Sequence, residues 1–404
     1  MNYEKEVNIN NVFELRCKTT DYFGVGAIHK FDDIAKEFVE KGMKNFLFVT
    51  GKSSYKKCGA WDVIEPILDK YGINYELYNK VSANPTVDMI DEAVKLGKEI
   101  ESQVVIGIGG GSPLDTAKSV AVLLEYPDKT GRDLYEFKFA PERAKPIVAI
   151  NTTHGTGSEV DRFAVATVPE KNYKPAIVYD CIYPTYAIDD PALMTKLPKE
   201  QALATAIDAV NHVNEAATTK VASPYVVDLA RRTVGLIKEY LPRVLENPED
   251  LTARYWVLYA STIAGIALDN GLAHITHALE HPLSAIDANV THGIGLAALM
   301  PAVVKYCHPA LPKTFAYIYE PIVEDKERAE KDANYLAQEI EKWLFDLGLT
   351  QKLPDLGFKE SDVDELTRLA MTTPSLDILL SLAPIEVNED VVRNIYLDSM
   401  QPIQ

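Results

Sequence analysis

Short apolar runs alternate with amphipathic segments through the first half of this chain. The apolar runs are rich in β-branched and aromatic residues, and they predict strands at 46–50, 73–79, 104–110 and 146–153. The segments between them repeat apolar residues at helical spacing, as at 62–71 and 87–100. Strands that alternate with helices predict a parallel sheet covered by helices. Residues 13–23, and the two runs that flank a turn at 169–172, are predicted to add antiparallel strands.

The pattern changes after Pro191. From residue 199 onward nearly every segment has helical periodicity, and the sequence predicts no convincing strand. The helices are expected at 201–218, 225–240, 253–268, 294–306, 333–347 and 389–400. We therefore predict an α/β domain at residues 1–190 and an all-helical domain at residues 191–404.

Charge and composition exclude several classes of partner. The chain of 404 residues carries a formal net charge of −18, which disfavours binding to nucleic acid or to an anionic membrane. No apolar run is long enough to cross a bilayer, and the N-terminus MNYEKEVNIN lacks the apolar core of a secretion signal. The four cysteines are scattered and form no CxxC pair, which is typical of a reducing compartment. We therefore expect a cytoplasmic protein.

Four of the eight histidines lie between residues 270 and 293. His277 and His281 are four residues apart on a helix predicted at 274–283, so they share one face. His292 follows a polar break, where a loop can return it toward that face. Imidazoles that converge in this way suit a divalent transition metal, whereas a single histidine on an apolar helix is more often a core residue.

A second pair, on an alanine-rich helix, adds a carboxylate. Asp208 and His212 are also four residues apart, so they too share a helical face. Neither pair makes a metal site alone. Together they offer one carboxylate and up to three imidazoles, which is a mixture suited to iron(II) or zinc.

A run of three glycines, Gly109 to Gly111, ends the strand predicted at 104–110. We predict that Ser112 caps the following helix, with Pro113 in the first helical position and Asp115 completing a capping box. Bare amides at a helix N-terminus attract a pyrophosphate, although a glycine run can also be only a tight turn. Other polar loops follow strands at 50–54, 82–86 and 151–160, and open α/β sheets bind ligands at such positions.

The motifs GGGSPLDTAK, TTHGTGSEV, the Asp208–His212 pair and HALEHPLSA followed by HG occur in this order. In this combination the sequence resembles the iron-containing (group III) alcohol dehydrogenases over nearly its whole length. The resemblance implies a Rossmann-like dinucleotide-binding α/β domain, a helical metal-binding domain as in the dehydroquinate synthase-like superfamily, and an active site between them. It also implies hydride transfer between a nicotinamide and a small alcohol or aldehyde, carried out by a homodimer.

The resemblance further implies roles for single residues. The metal ligands would be Asp208, His212, His277 and His292, holding iron(II) (Fe²⁺) or, alternatively, zinc (Zn²⁺). His281 matches a family histidine near the nicotinamide that is not a ligand, and we expect it to relay protons because imidazole titrates near the working pH. Contacts with the dinucleotide are expected from Asn84, Gly109, Gly110, Gly111, Ser112, Asp115, Thr152, Thr153, Thr156 and Lys174.

Two departures concern the nucleotide pocket. His154 stands where a small residue is expected, and we predict that it alters the pocket near the nicotinamide. Family members that prefer NAD(H) often carry an aspartate near position 51, which pairs with ribose hydroxyls and repels a 2′-phosphate. Gly51, Lys52 and Ser53 instead offer amides, a hydroxyl and a cation, so the sequence predicts NADP(H) over NAD(H).

Three alternatives to this alcohol dehydrogenase remain open at the level of sequence. The first is a polyol (glycerol-type) dehydrogenase that uses zinc. The second is a lyase of the dehydroquinate synthase type, which would regenerate its nucleotide in each cycle. The third is a nucleotide-binding regulatory protein without catalysis. Net consumption of NADPH with a simple aldehyde would exclude the second and the third.

Overall fold

A computed structural model describes residues 10–404 of the protein. Residues 1–9, on which much of the prediction that the chain lacks a secretion signal rests, lie outside the described residues. Within residues 10–404, six strands form one sheet and two form a separate hairpin. In chain order the strands are β1 (Thr20–Phe23), β2 (Asn45–Gly51), β3 (Asn74–Val81), β4 (Val104–Gly109), β5 (Ile147–Asn151), β6 (Phe163–Val165), β7 (Ala176–Val178) and β8 (Tyr186–Asp189).

The α-helices fall into two groups, one interleaved with the strands and one after them. The first group is α1 (Phe31–Glu40), α2 (Ser54–Lys57), α3 (Ala60–Tyr71), α4 (Val87–Glu99), α5 (Gly111–Leu123) and α6 (Gly131–Tyr135). The second group is α7 (Lys199–Ala216), α8 (Pro224–Glu246), α9 (Leu251–Gly271), α10 (Ile275–Ile286), α11 (His292–Cys307), α12 (Pro312–Ile318), α13 (Lys326–Lys331), α14 (Ala333–Leu347), α15 (Val363–Thr372), α16 (Leu376–Ser381) and α17 (Glu389–Asp398). Each helix in the described residues is too short or too polar to span a bilayer.

Neighbouring strands of the large sheet run parallel, in the order β1-β8-β5-β4-β2-β3. Successive side chains of a strand point to opposite faces, so β2 contributes to two cores. Phe46 and Phe48 pack with α1 and α3 on one face, whereas Leu47 and Val49 pack with α4 and α5 on the other. The prediction of a parallel sheet covered by helices is confirmed.

A third core lies entirely among the helices that follow residue 199. Helices α7 and α9 are rich in buried alanines, such as Ala206 and Ala264, and small side chains let neighbouring helices pack closely. The predicted helical region after the sheet is confirmed. The predicted domain boundary between residues 190 and 191 stays a prediction.

The sheet edge differs from the sequence prediction. An antiparallel strand was expected within 13–23, and this is wrong because β1 pairs in parallel with β8, with Tyr22 opposite Ile188. The sequence predicts no strand at β8, which lies between Pro184 and Pro191 and joins β1 to β5. The strand direction here follows from how the chain returns to the sheet, and a local pattern of four residues does not contain that information.

The predicted hairpin is present, but in a different place in the fold. Strands β6 and β7 are antiparallel and flank the turn that contains Pro169–Lys171. They form their own two-stranded sheet instead of extending the large one. The hairpin lies against α5, where it helps to wall the cavity described next.

Candidate active site

One cavity brings most of the predicted site residues together. It has a volume of about 740 Å³ and lies between the carboxyl ends of β3, β4 and β5 and the helices α7, α10 and α11. The predicted residues that line it are Asn84, Gly109, Gly110, Gly111, Ser112, Asp115, Thr152, Thr153, Thr156, Lys174, Asp208, His212, His277, His281 and His292. Gly51, Lys52 and Ser53 lie outside this lining, although their neighbour Ser54 belongs to it.

The three predicted histidine ligands converge on a carboxylate oxygen of the fourth predicted ligand, Asp208. Helix α7 carries Asp208 and His212 one turn apart, α10 carries His277, and His292 is the first residue of α11. The Nε2 atoms of His212, His277 and His292 lie 3.4, 3.7 and 3.8 Å from Asp208 Oδ1. His292 therefore arrives at the start of a helix and not on the loop that the sequence predicted.

This cluster has the properties of a cation site. Asp208 Oδ1 and His277 Nε2 are buried and have no hydrogen-bond partner in residues 10–404, which is costly for polar atoms unless a ligand satisfies them. Burial alone would raise the pKa of Asp208, but the imidazoles, led by that of His212, hold it well below its usual range. A charged carboxylate among imidazole nitrogens fits iron(II) or zinc, which accept mixed nitrogen and oxygen ligands.

Two buried glutamates that the sequence analysis missed orient the histidines. Glu215 accepts hydrogen bonds from His277 Nδ1 and from the amide of Thr276, and Glu280 accepts one from His292 Nδ1. Burial alone would raise the pKa of Glu215, but the neighbouring histidines His277 and His274 lower it to about 2. An ionised carboxylate can only accept hydrogen bonds, so each imidazole keeps its proton on Nδ1 and turns Nε2 toward Asp208.

A sequence signal for these glutamates existed. Glu215 comes seven residues after Asp208, which places both on the same face of α7 two turns apart. Glu280 lies in a helix whose other residues are mostly apolar, where a charged side chain is rarely buried without a partner. Carboxylates that hold ligating histidines are a recurrent second layer of metal sites.

Replacing Glu215 with glutamine is expected to weaken iron binding about tenfold to a hundredfold, because the neutral amide no longer fixes the imidazole of His277. Competition with a chelator of known affinity measures the change. Glu341→Gln is the matched control, since Glu341 is also buried in the helical half but pairs with Lys352 away from the cluster. An iron affinity that is the same in both variants would contradict the orienting role of Glu215.

The glycine run forms a cradle at the start of α5. A Cβ atom on Gly110 would lie 2.8 Å from the side chain of Thr153, and one on Gly111 would lie 2.8 Å from that of Thr156. Any larger residue would therefore collide with the threonines that face the cavity. Backbone amides at a helix N-terminus, left uncovered by side chains, suit a phosphate group.

The predicted cap of α5 is wrong. The helix begins at Gly111, with Gly110 in the capping position, so Ser112 already lies inside the first turn. Asp115 does not close a capping box. Its carboxylate instead accepts hydrogen bonds from Ser158 Oγ at 2.7 Å and from the amide of Val165 at 2.9 Å. Asp115 thereby ties α5 to the loop after β5 and to the hairpin.

Lys174 and Asn84 join the two sides of the cavity. Lys174 Nζ donates to Asn84 Oδ1 at 2.9 Å and to Ser284 Oγ on α10 at 2.7 Å, and it lies 3.6 Å from Glu280 Oε2. The Asn84 amide in turn donates to the carbonyl of Ala288 at 3.0 Å. Both predicted cofactor contacts are thus part of a bridge between the α/β region and the helices.

His281 lies one turn after His277 on α10, with the two ring centroids 6.4 Å apart. Its Nδ1 is buried and has no hydrogen-bond partner among the described residues. Burial, followed by the nearby Lys174 ammonium, holds the pKa of His281 well below its usual value. A pKa lowered in this way differs from the titration near working pH that the sequence analysis expected.

His154 does not line the cavity directly, so any effect that it has on the nucleotide pocket acts through the loop that carries it. Its side chain is fully buried and lies outside the cavity lining, where it contacts Arg254 on α9. The sequence did not reveal this position, because the direction of a side chain in an irregular loop depends on the surrounding helices.

Comparison with known proteins agrees with this geometry. Residues 19–191 match the family model described as iron-containing alcohol dehydrogenase, and residues 202–400 match that of the C-terminal region of the Fe-containing alcohol dehydrogenase family. The chain belongs to the family of iron-containing alcohol dehydrogenases. Together the two matches cover the sheet, the glycine cradle and the histidine cluster.

Individual members of this family are similar over nearly the whole chain. The long-chain primary alcohol dehydrogenase AdhA of Thermoanaerobacter ethanolicus is 60% identical over 98% of this chain and 100% of its own. The NADH-dependent butanol dehydrogenase A of Thermotoga maritima, known from a crystal structure, is 29% identical in sequence. Its structure matches this one over 97% of this chain and 99% of the other, with a TM-score of 0.87. An archaeal halo-thermophilic alcohol dehydrogenase from a Red Sea brine pool is 26% identical, with coverages of 97% and 100% and a TM-score of 0.88.

Family membership defines the class of reaction. As an iron-containing alcohol dehydrogenase, the chain is a metal-dependent oxidoreductase that uses a nicotinamide cofactor and acts on alcohol or aldehyde substrates. This outcome favours the predicted dehydrogenase over the lyase and over the regulatory protein without catalysis.

Proposed function

We propose that the protein interconverts long-chain primary alcohols and aldehydes with iron(II) and NADP(H), and one observation carries this proposal. The glycine cradle, the histidine cluster and apolar side chains such as Leu268, Leu272 and Leu379 all line one continuous cavity. An apolar wall beside the cluster suits an alkyl chain, whose burial gains about 0.8 kcal/mol per methylene. The relative from Thermoanaerobacter ethanolicus, which is 60% identical, is a long-chain primary alcohol dehydrogenase.

In this proposal Asp208, His212, His277 and His292 hold the metal. When bound, iron(II) supplies the Lewis acidity that polarises a carbonyl or lowers the pKa of an alcohol. The nicotinamide supplies or accepts the hydride. The protein itself positions these groups: Glu215 and Glu280 hold the imidazoles, and the amides at the start of α5 hold the pyrophosphate.

His281 is proposed to move the proton. A neutral imidazole carries one proton and one lone pair, so it can accept a proton at one nitrogen and release one at the other. The ring lies beside the cluster, with its centroid 5.8 Å from that of His292. In this role the imidazole accepts the proton that leaves the alcohol hydroxyl at one nitrogen and releases its own proton from the other, so it never has to store the charge.

The preference for NADP(H) rests on the loop that follows β2. Residues 51–57 read GKSSYKK, with three lysines and no acidic side chain. Lys52 is exposed next to the end of β2, where a dinucleotide's ribose commonly lies. A 2′-phosphate would meet cations and hydroxyls there, and no carboxylate of this loop would repel it.

Anaerobic assays of the iron-reconstituted protein test the proposal. We expect kcat/KM to rise from ethanol through butanol to octanol, by up to about fourfold per methylene, because each methylene is buried against the apolar wall. NADPH should be consumed in a 1:1 ratio with the aldehyde reduced, and it should be preferred over NADH. Glycerol serves as the comparison substrate. A higher kcat/KM for glycerol than for butanol would favour the polyol dehydrogenase, and no net NADPH consumption would favour the lyase.

A homodimer and a cytoplasmic location stay predictions. Light scattering coupled to size exclusion measures the oligomeric state directly. A monomer at enzyme concentrations used for assay would contradict the first prediction without affecting the proposed reaction.

A further inference from the structure

Arg254 is a fully buried cation in the helical half of the protein. It lies in the second turn of α9, and its side chain makes no ion pair with a carboxylate in residues 10–404. Its Nε donates to the carbonyl of Pro248 at 3.0 Å, and its Nη1 donates to His154 Nε2 at 2.8 Å. A guanidinium has only donors, so the imidazole must accept at Nε2 and carry its proton on Nδ1.

His154 belongs to the loop at 152–158, which forms one wall of the cavity. Thr153 and Thr156, on either side of it, touch the positions where Gly110 and Gly111 would carry a Cβ atom. These two threonines therefore face any phosphate that binds in the cradle. His154 points the other way, into the protein, and is fully buried.

The loop is anchored to the sheet side by several hydrogen bonds. The amide of Thr153 donates to Asn151 Oδ1 at 3.0 Å, the amide of Thr152 donates to the carbonyl of Gly109 at 2.9 Å, and Ser158 Oγ donates to Asp115. Toward the helices the loop approaches Thr205 on α7. Among the described residues, one side-chain hydrogen bond from this loop reaches the helical half, and it is the one between His154 and Arg254.

We infer that His154 and Arg254 form a positioning pair that holds the loop at 152–158 against the nucleotide. Withdrawal of His154 would leave Nη1 of the buried, charged guanidinium without an acceptor, which is costly away from water, so the pair favours a fixed position of the loop. The pair thereby fixes the distance of Thr153 and Thr156 from the glycine cradle. This inference rests on the proposed placement of the pyrophosphate at that cradle.

His154→Leu removes the acceptor while it keeps a similar volume. We expect the Kd of NADPH to rise about tenfold, with a parallel rise in KM for NADPH and a change in kcat below about threefold. His154→Gln should restore the affinity, since the glutamine oxygen reaches the place of Nε2. His154→Asn, with its shorter side chain, should not. Fluorescence titration with NADPH gives Kd on the metal-free and on the iron-loaded protein, so the result does not depend on turnover.

The double variant His154→Leu/Arg254→Met separates positioning from stability. Removing both partners removes the unpaired charge, so the melting temperature should recover relative to His154→Leu alone. The affinity for NADPH should stay low because the loop still lacks its anchor. If affinity recovers together with the melting temperature, or if His154→Leu changes only the melting temperature, the pair is structural and the inference is overturned.

Gly111→Val tests separately whether the pyrophosphate binds at the glycine cradle, on which the inference about His154 and Arg254 rests. The added side chain would collide with Thr156 in the cradle, so the Kd of NADPH should rise by about tenfold or more if the pyrophosphate binds there. An unchanged Kd in Gly111→Val would overturn the placement itself. A raised Kd in Gly111→Val with an unchanged Kd in His154→Leu would overturn only the positioning pair.

Discussion

Replacing His277 with alanine is expected to abolish iron binding and to lower kcat/KM for alcohol oxidation by at least about a thousandfold, because Lewis-acid stabilisation of the transition state is worth several kcal/mol. His277 is central to the cluster: its Nε2 lies 3.7 Å from Asp208 Oδ1, and its Nδ1 is held by Glu215. The variant loses a ligand and also leaves the buried Glu215 without its main partner. Elemental analysis of the reconstituted protein and steady-state kinetics measure the two effects.

Two companion variants make this result interpretable. Asp208→Asn keeps the volume of the carboxylate but removes its charge, so it should lose iron and activity without leaving Glu215 unpaired. His308→Gln is the matched control, because His308 is also a buried histidine of the helical half but donates to the carbonyl of Ala329 away from the cluster. Full iron content and full rate in His277→Ala would show that the proposed metal site is misplaced.

Replacing Gly51 with aspartate is expected to change the ratio of kcat/KM for NADPH over NADH by about a hundredfold in favour of NADH, since like charges placed together cost several kcal/mol. The site can hold the new side chain. A Cβ atom on Gly51 would lie 3.3 Å from Ser54 Oγ and 3.5 Å from the carbonyl of Val81, which are close but tolerable contacts. The carboxylate would repel a 2′-phosphate and accept hydrogen bonds from ribose hydroxyls.

Gly51→Asn is the control for this exchange. It adds almost the same volume without the charge, so a change that depends on repulsion should be much smaller in this variant. Kinetics with both reduced nucleotides, at one aldehyde concentration well above its KM, give the ratios. A wild-type protein that already prefers NADH would contradict the predicted cofactor choice before any variant is made.

Much of the candidate site could be predicted from residue spacing. The intervals between Asp208 and His212 and between His277 and His281 are one helical turn, so the helix itself places each pair on one face. That these separate faces meet at Asp208 Oδ1 is a property of the packing of α7, α10 and α11. The cradle at Gly110 and Gly111 could also be predicted from the sequence. The predicted N-cap of the helix that follows it was Ser112, whereas in the structure the N-cap is Gly110.

The rest depended on contacts between distant parts of the chain. The partners of Glu215 and Glu280 come from other helices, and the parallel pairing of β1 with β8 joins residues far apart in sequence. His154 illustrates the same limit, because its direction is set by a guanidinium 100 residues away.

Local periodicity by itself determined the α/β region, the helical region and the residues able to bind a metal or a phosphate, because hydrogen bonding within a helix or strand dictates which side chains share a face. Only the tertiary structure decided which of these faces meet, and which buried carboxylates orient the imidazoles. The physical reason is that burial and electrostatic pairing depend on neighbours in space, which the order of residues along the chain does not specify.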